Sequence, residues 1–206
     1  MQYRIMLSLT YFFASRFSSF LLIQQNAGTV KWSDVRQLGR YCPQLEVLKL
    51  RGIILGDDIS AQDPEESSKE VSILPRLRVC VIERQEDIAH NLGLAQFIIG
   101  RLLHGMPSIE EFSIGSGASS YDEPKPHVQN AFQTPMPSLR KLRLEGFSLS
   151  NASLSGIDPD QIESIILKNC CNHARSALEA FQTSSNIANA SIIDDGDAVC
   201  LVVKQG

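Results

Sequence analysis

Met136-Pro137-Ser138-Leu139-Arg140-Lys141-Leu142-Arg143-Leu144 is one copy of a phrase that recurs along the chain. Reduced to a pattern it is Pro-x-Φ-x-x-Φ-x-Φ, where Φ is apolar. The same phrase occurs at Pro43 with Leu45, Leu48 and Leu50, and at Pro75 with Leu77, Cys80 and Ile82. It returns at Pro107 with Ile109, Phe112 and Ile114. A fifth copy has Asp160 at the proline position, with Pro159 beside it, and keeps Ile162, Ile165 and Leu167. Every Φ position is apolar in a chain that is only 43% hydrophobic. Recurrence at this scale predicts stacked units, each too small to bury its apolar face alone, and hence a solenoid that binds something.

Each Φ-x-Φ pair alternates apolar with polar, the mark of a strand with one buried face. The prolines precede the strands, where a missing N–H costs the ladder nothing. Helical patterns lie between the strands. Ser33 is placed to cap a helix running through Val35 and Leu38 toward Tyr41. Asp87 to His104, Val128 to Phe132 and Ala174 to Phe181 carry apolar residues at helical spacing. The first Φ residues (Leu45, Leu77, Ile109, Leu139, Ile162) are 32, 32, 30 and 23 residues apart, so insertions lengthen the earlier units. Gly56 to Glu70 is acidic and polar, and Gly115 to Pro137 is rich in Gly, Ser and Pro; both predict loops. Ala190–Ile193, an Asp-Gly turn at Asp195-Gly196, and Ala198–Val203 predict a hairpin that closes the last unit.

The chain has 206 residues, a net charge of −4 and a pI of about 5.6. That balance argues against nucleic-acid binding, which needs a basic face to displace counterions. The five cysteines, Cys42, Cys80, Cys170, Cys171 and Cys200, are odd in number and form no CxxC pair. They predict reduced thiols in the cytosol or nucleus, with Cys80 acting as a small core hydrophobe. Residues 1–32 are apolar and lack Asp and Glu. They read as a first structural layer over an open edge or as a targeting segment, with Arg16 inside the one window that approaches a membrane span. Residues 33–170 form the repeat array, and 171–206 a C-terminal helix and hairpin cap.

Tyr41-Cys42-Pro43-Gln44-Leu45-Glu46-Val47-Leu48-Lys49-Leu50 and the Met136–Leu144 phrase resemble the leucine-rich repeat family. More narrowly, they look like the irregular repeats of fungal and other F-box-type proteins. The last unit also fits LxxLxLxxN/C, with Cys170 at the Asn/Cys position; Ile53, Gln85, Gly117 and Phe147 stand there in the other four. Residues 1–32 do not supply an F-box. The resemblance implies an α/β solenoid of about five short parallel strands, with helices and loops on the convex side. It also implies a substrate-recognition role in a ubiquitin-ligase adaptor, with ligase subunits among the partners.

In such a fold the residues alternating with Φ line a concave face that another protein can grip. By register these are Val47, Lys49 and Arg51; Val79, Val81 and Glu83; Glu111 and Ser113; Lys141, Arg143 and Glu145; and Ser164, Ile166 and Lys168. Lys49, Arg51, Lys141, Arg143 and Lys168 give a locally basic stripe, and Val79, Val81 and Ile166 are candidate apolar anchors. A stand-alone scaffold, or an inhibitor that clasps an enzyme, would use the same face; an enzyme would need a site on the inserted loops.

Chemical motifs are weak. His173 near Cys170 and Cys171 lacks the second ligand pair of a zinc site. Asp194-Asp195-Gly196-Asp197 lacks the spacing and closing Glu of a calcium loop. Gly115-Ser116-Gly117 is not followed by the Gly-Lys-Ser/Thr of a phosphate loop, and no G-x-S-x-G elbow occurs. Asn151-Ala152-Ser153 and Asn189-Ala190-Ser191 are glycan acceptors only in a secreted protein. Ser60, Ser67 and Ser68 offer phosphorylation sites in the acidic loop. The expectation is therefore a protein-binding module without catalysis, cofactor or metal, and without nucleic-acid or membrane partners.

Overall fold

The computed structural model describes residues 19–56, 73–83, 100, 103–116, 125, 128, 132, 135–150, 153–170, 173–185, 189–196 and 198–203. The chain is α/β, built on one open, mostly parallel sheet. Its strands are β1 (Ser19–Lys31), β2 (Val47–Gly56), β3 (Val79–Glu83), β4 (Glu111–Gly115), β5 (Lys141–Glu145), β6 (Ser164–Lys168), β7 (Ala190–Asp194) and β8 (Ala198–Val203). They lie in the order β1-β2-β3-β4-β5-β6-β8-β7. Sequential strands are thus neighbours from β1 to β6. β1 runs parallel to β2, with an irregularity between Ile23 and Gly28.

The repeated phrase supplies the register. Leu48, Cys80, Phe112, Leu142 and Ile165 stand side by side across β2 to β6, and Leu50, Ile82, Ile114, Leu144 and Leu167 form the next row. These ten residues and the five first-Φ residues are all buried. Full burial of a side chain of this size contributes about 1.5–3 kcal/mol. A one-residue slip would turn a whole strand's apolar set outward, so burial itself enforces the register.

The prolines do more than avoid the ladder. In four units the Φ residue after proline donates its N–H to the carbonyl of the residue before it: Leu45 to Cys42, Leu77 to Leu74, Ile109 to Met106 and Leu139 to Met136. Proline therefore occupies the second position of a β-turn, where its fixed φ is pre-set. The residues before proline (Cys42, Leu74, Met106, Met136) are buried, a further apolar position of the repeat. In the fifth unit both Gln161 and Ile162 donate to the Asp158 carbonyl, so the turn around Pro159 is one residue wider. The Asp158 carboxylate accepts from the Asp160 N–H at 2.9 Å.

Two helices are described, α1 (Trp32–Tyr41) and α2 (Ala174–Ser185). α1 begins before Ser33, which sits in its first turn rather than ahead of it. α2 extends beyond the expected Phe181 and buries Ala174, Ala177, Leu178 and Phe181, one face of a 3.6-residue period. Gln182 on this helix donates to the Ala190 carbonyl at 3.0 Å, tying it to the hairpin. The expected helix over 87–104 lies outside the described residues except at its end, where Leu103 is buried. Val128 and Phe132 are buried but not helical, and the residues between them lie outside the described set. The acidic loop over 57–70, with its three serines, and most of 117–134 also lie outside it.

The C-terminal hairpin forms, and β8 docks antiparallel on β6, pairing Ile166 with Cys200 and Ser164 with Val202. The change of direction follows from the connection: a tight turn links β7 to β8, whereas the parallel strands need long crossovers. Asp195 donates to the Ala198 carbonyl at 2.9 Å, and Gly196 supplies the positive φ of 67°.

Candidate partner-binding face

With the Φ residues buried, the alternating residues occupy the other face of the sheet. Three rows cross the strands there. The first contains Val47, Val79, Glu111, Lys141, Ser164 and Val202. The second contains Lys49, Val81, Ser113, Arg143, Ile166 and Cys200, and ends at Ile193 on β7. The third includes Arg51, Glu83, Glu145 and Lys168. Lys49, Glu83, Lys141 and Arg143 are exposed; Val81, Glu111, Ser113, Glu145, Ile166 and Lys168 are partly exposed. Arg51 is placed by backbone register alone.

The stripe expected to be basic carries its own counter-charges. Lys141 pairs with Glu111 at 2.7 Å, and their hydrogen bond raises the Lys141 pKa above its ordinary value. Arg143 and Lys168 both reach Glu145, at 3.3 and 3.1 Å, so one carboxylate serves two cations. Among the described residues Lys49 has no ion-pair partner. The face is therefore a band of paired charges over β4 to β6, flanked on one side by valines set among Lys49 and Glu83 and on the other by apolar residues. Val47, Val79 and Val81 lie on one side, and Ile166, Cys200, Val202 and Ile193 on the other, with Ile193 52% exposed.

Cys200, Val202 and Ile193 extend this face beyond the residues read from the repeat. Their placement depends on β8 docking beside β6, a long-range pairing that no local pattern encodes. Burial raises the Cys200 thiol pKa, and the nearby Asp195 adds to the shift.

A further row, visible only when the phrases are aligned with one another, carries charge. The residue after each first Φ is Glu46, Arg78, Glu110, Arg140 and Glu163, alternating in sign from strand to strand. Arg78 grips Glu110 through two bonds of 2.8 Å, and Arg140 meets Glu163 at 3.3 Å. The hydrogen bond from Arg78 holds the Glu110 carboxyl below its ordinary pKa, with Arg140 contributing charge from the other side.

The turns leaving the strands are secured by side chains. The Ser116 hydroxyl donates to the Gly146 carbonyl at 2.6 Å, and the Cys170 thiol approaches the Leu144 carbonyl at 3.6 Å. Cys170 stands at the expected position. Ser116 does its work one residue before Gly117, where the repeat pattern places the polar group.

Among the described residues no group of three or more His, Cys, Asp or Glu could hold a metal ion. None of their helices is long and apolar enough to cross a membrane. Cys42, Cys80, Cys170 and Cys200 are free thiols. No protein-family model matches the chain, and no curated protein does.

Proposed function

We propose that the chain is a leucine-rich-repeat-like solenoid that binds another protein on the face opposite its Φ residues, without catalysis. The role is substrate recognition, as in the repeat region of an F-box-type ubiquitin-ligase adaptor, in the cytosol or nucleus. The observation that carries this reading is the in-register stacking of one repeated phrase per strand from β2 to β6. It leaves a broad face of charged and apolar rows, the composition of a protein contact with anchors and a polar surround. The pKa shifts at Cys42 and Cys80 arise from burial, and those at Arg78, Glu110, Lys141 and Arg175 from surface ion pairs.

The test is affinity purification of the tagged protein from its own cells, with mass spectrometry of co-purifying proteins. Cullin-type ligase subunits together with one further protein are expected. A stoichiometric partner without ligase subunits would replace the adaptor role with that of a scaffold or inhibitor.

A further inference from the structure

We propose that the row from Lys49 to Cys200 receives one amphipathic α-helix of a partner protein, laid across the strands. Acidic residues of that helix sit over Lys49 and Arg143, and apolar residues over Val81 and over Ile166 with Cys200. This deepens the protein-binding reading above and rests on it.

The spacing of the row suits a helix. Neighbouring strands lie about 4.8 Å apart, so the row presents one side chain per 4.8 Å. A helix presents a straight seam at alternating steps of three and four residues, about 5.2 Å each. From Lys49 to Cys200 the row spans five strand steps, about 24 Å, while 17 residues of helix span about 26 Å. The difference is within the reach of side chains. An extended segment lying along the row repeats its facing side chain only every ~6.7 Å and falls out of step with the strands.

The charge along the row points the same way. Read along the row, the surface is cation, apolar, small polar, cation, apolar, apolar. The acids Glu83, Glu111 and Glu145 belong to the flanking rows and do not interrupt it. Lys49 has no ion pair among the described residues, and Arg143 shares the Glu145 carboxylate with Lys168, which leaves a positive excess there. Exposed Lys49 and, three strands on, the positive excess around Arg143 can thus each take a carboxylate from one helix face, and opposite charge at fixed spacing selects partner and register.

The test uses a designed helical peptide of about 20 residues. Its seam carries Glu at the first and eleventh positions, Leu at the fourth, fifteenth and eighteenth, and Ala at the eighth. A companion peptide has Lys in place of both Glu residues. Binding is measured by fluorescence anisotropy to the wild-type chain, to Lys49→Glu, and to Lys49→Glu/Arg143→Glu, with thermal melts confirming that each variant is folded. The Glu peptide is expected to bind wild type at least about tenfold more tightly than the Lys peptide, with the preference lost in the single variant and reversed in the double variant. Equal binding of the two peptides, or no reversal, would overturn the helix proposal. Partner capture from cells with the same double variant separates the two readings. If the peptide fails but the native partner is lost from the variant, the face reading stands and the helix is wrong. If the partner is also retained, both fall.

Discussion

Arg78 and Glu110, 32 residues apart in sequence, face each other across adjoining units through two hydrogen bonds of 2.8 Å. Each stands one residue after the first Φ of its phrase, so the pair reports the stacking register directly. The depressed Glu110 pKa gives a signed pH dependence. A carboxyl held below its unfolded value adds stability above the usual carboxylate range of about 4, and that stability is lost as pH falls through the folded value. Urea midpoints of wild type and Glu110→Gln should differ at pH 7 and converge below about pH 3. Because the pair is largely exposed, the gap should be small and shrink with salt. A gap that widens on acidification would contradict the assigned pairing.

Neighbouring residues on β5 should respond in opposite ways. Leu142 is buried and Arg143 exposed. Leu142→Asp places a charge in the core and should abolish cooperative unfolding. Leu142→Ala should cost about 2–5 kcal/mol in urea denaturation. Arg143→Asp should keep the wild-type midpoint to within about 0.5 kcal/mol and change binding alone. Equal damage at both positions would refute the facing of the strand.

Gly39, inside α1, lies against the backbone of Ile73 in the turn of the next unit; a Cβ there would collide with the Ile73 carbonyl. Helix propensity favours alanine at such a site by about 1 kcal/mol. The backbone clash should outweigh that gain, so Gly39→Ala should destabilise by about 1–3 kcal/mol. A stabilised variant would show that α1 does not pack on this turn.

The thiols should separate by burial. Burial pushes Cys80 up to about 12 and raises Cys42 as well. Cys170 is also buried, whereas Cys200 is half-exposed. In a Cys171→Ser background, Ellman's reagent at neutral pH should label Cys200 in the native state, slowly because its own pKa is raised. Cys42, Cys80 and Cys170 should react only in denaturant. Rapid native labelling of Cys80 would place it outside the core.

The rows of the sheet were legible because two local signals coincide in each phrase. Alternation assigns the strand, and the shared proline aligns one strand with the next. The residues before the prolines, Cys42, Leu74, Met106 and Met136, were legible too, as one more apolar position shared by four phrases. The alternating charges from Glu46 to Glu163 are visible only when the phrases are stacked, since nothing about Arg78 alone points to Glu110. Docking of β8 on β6 was not legible. An Asp-Gly turn specifies a hairpin but not the edge that receives it, so Cys200 and Ile193 could not be assigned to the face. Burial of Ser116, which replaces the expected polar residue at Gly117, depends on how the chain leaves β4, a backbone detail that the repeat pattern does not carry.

The proposed function places partner binding on the face that carries Lys49 and Arg143. The most direct measurement is quantitative affinity purification of wild type beside Lys49→Glu/Arg143→Glu and beside Arg175→Glu, which alters charge on α2. The stoichiometric partner should be lost from the double variant and retained by Arg175→Glu, with all three proteins equally folded. Retention of the partner by the double variant, or equal loss from both, would contradict it.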